Sequence, residues 1–96
     1  MSTTKGKNIL IVDDDEDLID LFTTFLEYDG YKVVAFTDPI DALYSFRKNI
    51  YDLVLLDLET PKMNGIILSH KLKNIDPTLL CCFITENKKF IEHLKR

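Results

Sequence analysis

Two short apolar runs in this chain stop at aspartates. Residues 9–12 read Ile-Leu-Ile-Val and end at Asp13 and Asp14, and residues 53–56 read Leu-Val-Leu-Leu and end at Asp57. Runs this short and uniformly apolar read as strands covered on both faces of a parallel sheet. In an open α/β sheet the ligand crevice lies beyond the carboxyl ends of the strands, where strand order reverses. Neighbouring strands sit about 5 Å apart, so if these two are neighbours, three carboxylates converge. Like charges packed that closely repel and shift one another's pKa values unless a cation sits among them. Hard oxygen ligands suit Mg²⁺, which keeps several waters and often accompanies a phosphate. The pattern points to a place where a divalent ion and a phosphoryl group meet a carboxylate.

The remaining elements alternate with these strands. Asp15 is placed to cap a helix running to about residue 29, with Glu16 and Asp17 in its first turn. Leu18, Leu21, Phe22, Phe25 and Leu26 have the spacing of one helical face. Asp29-Gly30 ends it, and residues 31–36 form a second strand. Asp38-Pro39 then begins a helix to about residue 49, packing through Ile40, Leu43, Tyr44 and Phe46. A loop over residues 57–64 carries Pro61 and ends near Gly65. A helix over about 66–74 follows, closed by Asp76-Pro77, and then a fourth strand over 79–84. Phe90, Ile91 and Leu94 fall on one side of a last short helix. Strand–helix alternation throughout predicts a parallel α/β sheet with right-handed crossovers.

Composition narrows the function. Ninety-six residues allow one domain, read as a loose tail over 1–7 and a folded unit over 8–96. A net charge of −4 argues against nucleic acid, which calls for a basic patch, and gives no reason to expect an anionic membrane surface. No apolar run approaches the roughly 20 residues of a spanning helix, and the start lacks a secretory core, so a cytoplasmic location is expected. Cys81 and Cys82 are adjacent on a strand, point to opposite faces, and read as two buried core thiols. His70 and His93 fall on helical patterns away from the acids and read as surface residues.

Taken together, Asp13-Asp14 after the first strand, Asp57 after the third, Pro61 and Gly65 in the following loop, and Thr85 after the fourth resemble the receiver domain of two-component response regulators. The match runs from Ile9 to about Thr85. The resemblance implies a flavodoxin-like three-layer α/β sandwich with parallel sheet order 2-1-3-4. It implies that Asp57 is the phosphoacceptor, serving a histidine kinase or phosphotransfer protein in a phosphorelay. Asp13, Asp14, Asp57 and the backbone carbonyl of Glu59 would hold Mg²⁺, and Thr85 would supply the switch hydroxyl. The chain would be a phosphoprotein rather than an enzyme, with at most self-catalysed phosphotransfer and autodephosphorylation.

Three positions depart from the family pattern. The lysine that follows a fifth strand has no counterpart before Arg96, so the fifth strand and helix are expected to be missing with it. Glu86 stands after the switch threonine, where the family has a small residue, and is expected to obstruct the phosphoryl path. Thr60 precedes the loop proline, where methionine is common. The leading expectation is a stand-alone receiver, incomplete at its C-terminus. A phosphorylation-independent pseudo-receiver that binds a protein partner is the alternative. A haloacid dehalogenase-type phosphatase is a third reading, since Asp57-Leu58-Glu59-Thr60 distantly resembles its Asp-x-Asp-x-Thr loop, but the second aspartate is absent. An uncharged edge over 79–84 predicts self-association or partial unfolding, unless the 90–94 segment covers it.

Overall fold

Strand β1 (Asn8–Val12) anchors the sheet because Ile9, Leu10, Ile11 and Val12 are all buried, two on each face. The computed structural model describes residues 7–84. The expectations for the N-terminal tail, Thr85, Glu86, His93 and the 90–94 helix therefore lie outside the described residues. Strand β1 pairs in parallel with β2 (Lys32–Phe36) on one side and β3 (Leu53–Asp57) on the other. Strand β4 (Leu80–Ile84) pairs in parallel with β3. Among the described residues the order is β2-β1-β3-β4, as expected, and order reverses between β1 and β3.

Parallel neighbours cannot be joined by hairpins, so helices carry the crossovers. These are α1 (Glu16–Tyr28), α2 (Pro39–Ser45) and α3 (Gly65–Ile75). The two faces of the sheet build two cores. Leu10, Val12, Val54 and Leu56 pack with Ala42 and Phe46 at α2 and Leu68 and Leu72 of α3. Ile9 and Ile11 pack against Ile19, Phe22 and Leu26 of α1. Three layers result from the period-2 alternation of the strands.

Two clasps hold the end of the sheet opposite the aspartates. The Asn8 N–H donates to Asp52 Oδ2 at 2.8 Å, and the Asp52 N–H returns a bond to the Asn8 carbonyl at 2.8 Å. The Asn8 side-chain amide also donates to the Ile50 carbonyl at 2.9 Å. Asp76, buried just after α3, accepts from the Asn49 N–H at 3.0 Å and the Thr78 hydroxyl at 2.9 Å. The Asn49 N–H and the Thr78 hydroxyl hold its carboxyl below the usual carboxylate range.

Several side-chain expectations change. Helix α2 ends at Ser45 rather than near residue 49. Phe46 leaves the helix with ψ 137 and turns into the core, stacking on Tyr51 at 5.7 Å between ring centroids. The Arg47 guanidinium bonds the carbonyls of Tyr44 and Phe46 that the early stop leaves open. Asn49 adopts φ 65, which a continuing helix could not contain. Tyr44 is 79% exposed rather than packed. In α1 the buried residue is Ile19, while Leu21 and Phe25 are exposed. Cys82 is exposed, not buried: it alternates with Cys81 to the α1 side of β4, where no described helix covers it. Leu80 is exposed in the same way.

Leu72, with no exposed surface, fills the α3 contact with the sheet. Leu72→Ala should cost about 2–5 kcal/mol in urea unfolding, while Tyr44→Ala should stay within about 0.5 kcal/mol. Equal losses would mean that Tyr44 packs in solution.

Candidate functional site

The register of the central pair brings the acids together. Val12 pairs with Leu56, so Asp13 and Asp57 leave the sheet side by side at its carboxyl end. The Asp13 N–H is held by the Phe36 carbonyl at 3.1 Å, which extends the β1–β2 ladder one residue past the strand. Asp13 is 3% exposed, and its Oδ1 accepts the Asp15 N–H at 2.8 Å. Asp15 in turn caps α1, accepting from the Asp17 and Leu18 N–H groups. That run of three aspartates therefore has divided labour, with Asp15 spent on the helix and Asp13 and Asp14 left to the crevice.

On the other strand, Asp57 Oδ1 accepts the Glu59 N–H at 3.0 Å. The loop after it is tied down at several points. The Leu58 N–H donates to the Ile84 carbonyl of β4, and the Gly65 N–H donates to the Leu58 carbonyl. The Thr60 hydroxyl donates to the Met63 carbonyl, and Asn64 caps α3 through the Ile67 N–H. Gly65 is required by proximity: a Cβ there would collide with the Asp57 carbonyl oxygen.

One carboxylate oxygen from each of Asp13, Asp14 and Asp57 lies within 4.8 Å of the others. They open into a cavity of about 420 Å³, also lined by Asp15, Leu18, Phe22, Glu59 and Ile84. Asp13 and Asp57 each commit one oxygen to a backbone N–H, which orients each carboxylate, and Asp57 also lies in side-chain contact with Asp14. Burial pushes the Asp13 carboxyl up to about 6, aided by the charges of Asp57, Asp14 and Asp15 and opposed by the Asp15 N–H. Burial also raises Asp57, opposed by the Glu59 N–H and aided by Asp14 and Glu59. A set of converging hard oxygens that is uncomfortable when ionised fits a divalent cation such as Mg²⁺.

The structure thus brings Asp13, Asp14, Asp57 and Glu59 to one cavity, while Thr85 lies just past the described residues, after the lining residue Ile84. His70 is exposed on α3, away from that cavity. Sequence reasoning missed a neighbouring pair. Lys62 Nζ lies 2.6 Å from Asp38 Oδ2, and both residues line a second cavity of about 110 Å³ together with Asp14, Thr37, Pro39 and Pro61. The available signal was Asp38 itself, an acid at the carboxyl end of the strand beside β1.

Comparison with known proteins agrees with this fold. The model of the response regulator receiver domain family matches residues 9–95. The response regulator SaeR of Staphylococcus aureus is 38% identical over 66 residues, covering 69% of this chain and 28% of that protein. The chain therefore spans well under half the length of the curated relatives it matches. The response regulator TrrA of Thermotoga maritima, solved in complex with Mg²⁺ and BeF, is 26% identical with a TM-score of 0.78, over 92% of this chain and 76% of that one. The non-phosphorylated HemR receiver domain of Leptospira biflexa is 28% identical with a TM-score of 0.75, over 93% and 74%.

Two measurements check the site. The Asp13 carboxyl should titrate near pH 6 by ¹³C NMR in metal-free buffer, and Asp57→Asn should move that midpoint down. Because the folded value is raised, Asp13 favours the folded state in acid and loses that contribution as pH rises through about 6. A midpoint near 4 would mean that the carboxyl is solvated. Gly65→Ala should lower stability by about 1–3 kcal/mol through the forced shift of the Asp57 carbonyl; an unchanged melting temperature would show that the loop yields freely.

Proposed function

Since the chain belongs to the response regulator receiver domain family, we propose that it accepts a phosphoryl group on Asp57 in a Mg²⁺-dependent two-component phosphorelay. Receiver domains are phosphoacceptors rather than conventional enzymes, and histidine kinases or phosphotransfer proteins phosphorylate them. They bind Mg²⁺ at an acidic pocket. The observation that carries the proposal is the convergence of Asp13, Asp14 and Asp57 within 4.8 Å at the mouth of a cavity.

Each residue has a part. The Asp57 oxygen not bonded to the Glu59 N–H is the nucleophile. It bonds the phosphorus as the donor's bond to phosphorus breaks, and the donor, a histidine nitrogen or the acetate of acetyl phosphate, leaves with that electron pair. The partner oxygen is held by the Glu59 N–H. Asp13 and Asp14, with Asp57 and the Glu59 carbonyl, would hold Mg²⁺. The ion, when bound, supplies positive charge to the phosphoryl oxygens during transfer. Leu18, Phe22 and Ile84 give the cavity apolar walls, which strengthen electrostatics inside it. Thr85 follows directly on Ile84, and the proposal gives its hydroxyl the switch contact with the phosphoryl group.

Incubation with acetyl phosphate and Mg²⁺, followed by mass spectrometry, tests the reading. Label on Asp57 that disappears in Asp57→Asn and in excess EDTA is the expected result. Asp14→Ala should weaken Mg²⁺ by at least the roughly tenfold that even outer partners of a metal contribute. Label that survives Asp57→Asn would place the acceptor elsewhere, and no label under any condition would leave a binding module on the same scaffold.

A further inference from the structure

Asp14 lines two acidic cavities, and among their described lining residues Lys62 is the sole cation. Its ammonium is not turned into the acidic cluster but bonds Asp38 Oδ2 at 2.6 Å. The contact joins two segments on the rim: the β3–α3 loop that begins at Asp57, and the start of α2 that follows β2. Asp38 divides its oxygens, since Oδ1 caps α2 through the Ile40 N–H at 2.8 Å and Oδ2 takes the lysine. The Lys62 side chain is 64% exposed, and among the described residues Asp38 is its hydrogen-bonding partner, with the charge of Asp41 acting on it from farther off, so its long stem can pivot.

We infer that Asp38 is a positioning residue that holds Lys62 in reserve on the rim, and that Lys62 leaves Asp38 for a phosphoryl oxygen when that group occupies the site. The inference rests on the phosphoacceptor reading and deepens it by naming a cation from the chain itself. The chemistry favours the exchange. A phosphoryl group brings several strong acceptor oxygens with net negative charge, whereas Asp38 offers one oxygen in an exposed pair. An exposed ion pair is weak enough to be broken by a better-placed anion. Asp38 thus competes with the phosphoryl group for one lysine, and the outcome of that competition sets how tightly the phosphorylated geometry is held.

The test uses beryllofluoride with Mg²⁺ as the phosphoryl probe and Mg²⁺ alone as the control, on the full chain. Asp38→Asn keeps the Oδ1 cap on α2, because asparagine caps as well as aspartate, and removes only the charge that holds Lys62. Lys62→Met removes the cation from an exposed position. Asp38→Asn should tighten beryllofluoride about two- to fivefold, the range set by an exposed ion pair, and Lys62→Met should weaken it by a similar factor. In the double variant the gain from Asp38→Asn should vanish, because there is no lysine left to release. Lys62→Arg should restore binding. Persistence of the Asp38→Asn gain in the Lys62→Met background would overturn the inference, since Asp38 would then act through its own charge. Equal shifts in the affinity for Mg²⁺ alone would overturn it too, since a general field on the cavity would explain them. Failure of the unaltered chain to bind beryllofluoride would instead remove the phosphoacceptor reading, and this inference with it.

Discussion

The site depends on the parallel register between β1 and β3. Val12 opposite Leu56 is what places Asp13 beside Asp57. That alignment concentrates charge that repels itself. At separations no greater than 4.8 Å and an effective dielectric near 20, each ionised pair costs at least about 3 kcal/mol. A small domain is stable by only about 5–15 kcal/mol. The burial of Leu10, Ile11, Val12, Val54 and Leu56 holds the strands in register against that repulsion. Tension at the mouth and cohesion in the sheet are thus two aspects of one pairing.

The surrounding loops turn a cluster of acids into an oriented one. Backbone N–H groups fix one oxygen each on Asp13 and Asp57 and so set the direction of the other. The Leu58 N–H to Ile84 carbonyl bond couples the loop after Asp57 to the end of β4. A displacement of the Asp57 loop therefore pulls on the last described residue of the sheet. Gly65 allows the same loop to fold back on itself over the Asp57 carbonyl. These contacts give a local chemical event at Asp57 a physical route to neighbouring strands.

Much of this was legible because period and punctuation agree. Apolar runs bounded by aspartates marked β1 and β3, Asp15 and Asp38 marked helix starts, strand–helix alternation implied a parallel sheet, and the resemblance to receiver domains implied its order. The acidic trio was legible for the same reason, since strand ends are where an alternating chain gathers its acids. What escaped were features decided by tertiary contact. Phe46 and Tyr44 both sit on an apolar helical pattern, but stacking on Tyr51 takes the first out of α2 and leaves the second in solvent. Cys82 reads as core by composition, yet its neighbours on that face of β4 are set by how far α1 reaches. The Lys62–Asp38 pair joins residues 24 apart in the chain, a separation that no local pattern encodes.

The Asn8–Asp52 clasp has a different consequence. It lies five residues from Asp13, roughly 16 Å along an extended strand. Yet it works as the alignment pin for the whole central pair, with bonds passing both ways between the two chain segments. A strand that slips by one residue presents every side chain to the opposite layer. The distance between the acids is thus calibrated at the far pole of the sheet. Genetic variation at Asn8 or Asp52 would surface as altered spacing among carboxylates that those residues never touch.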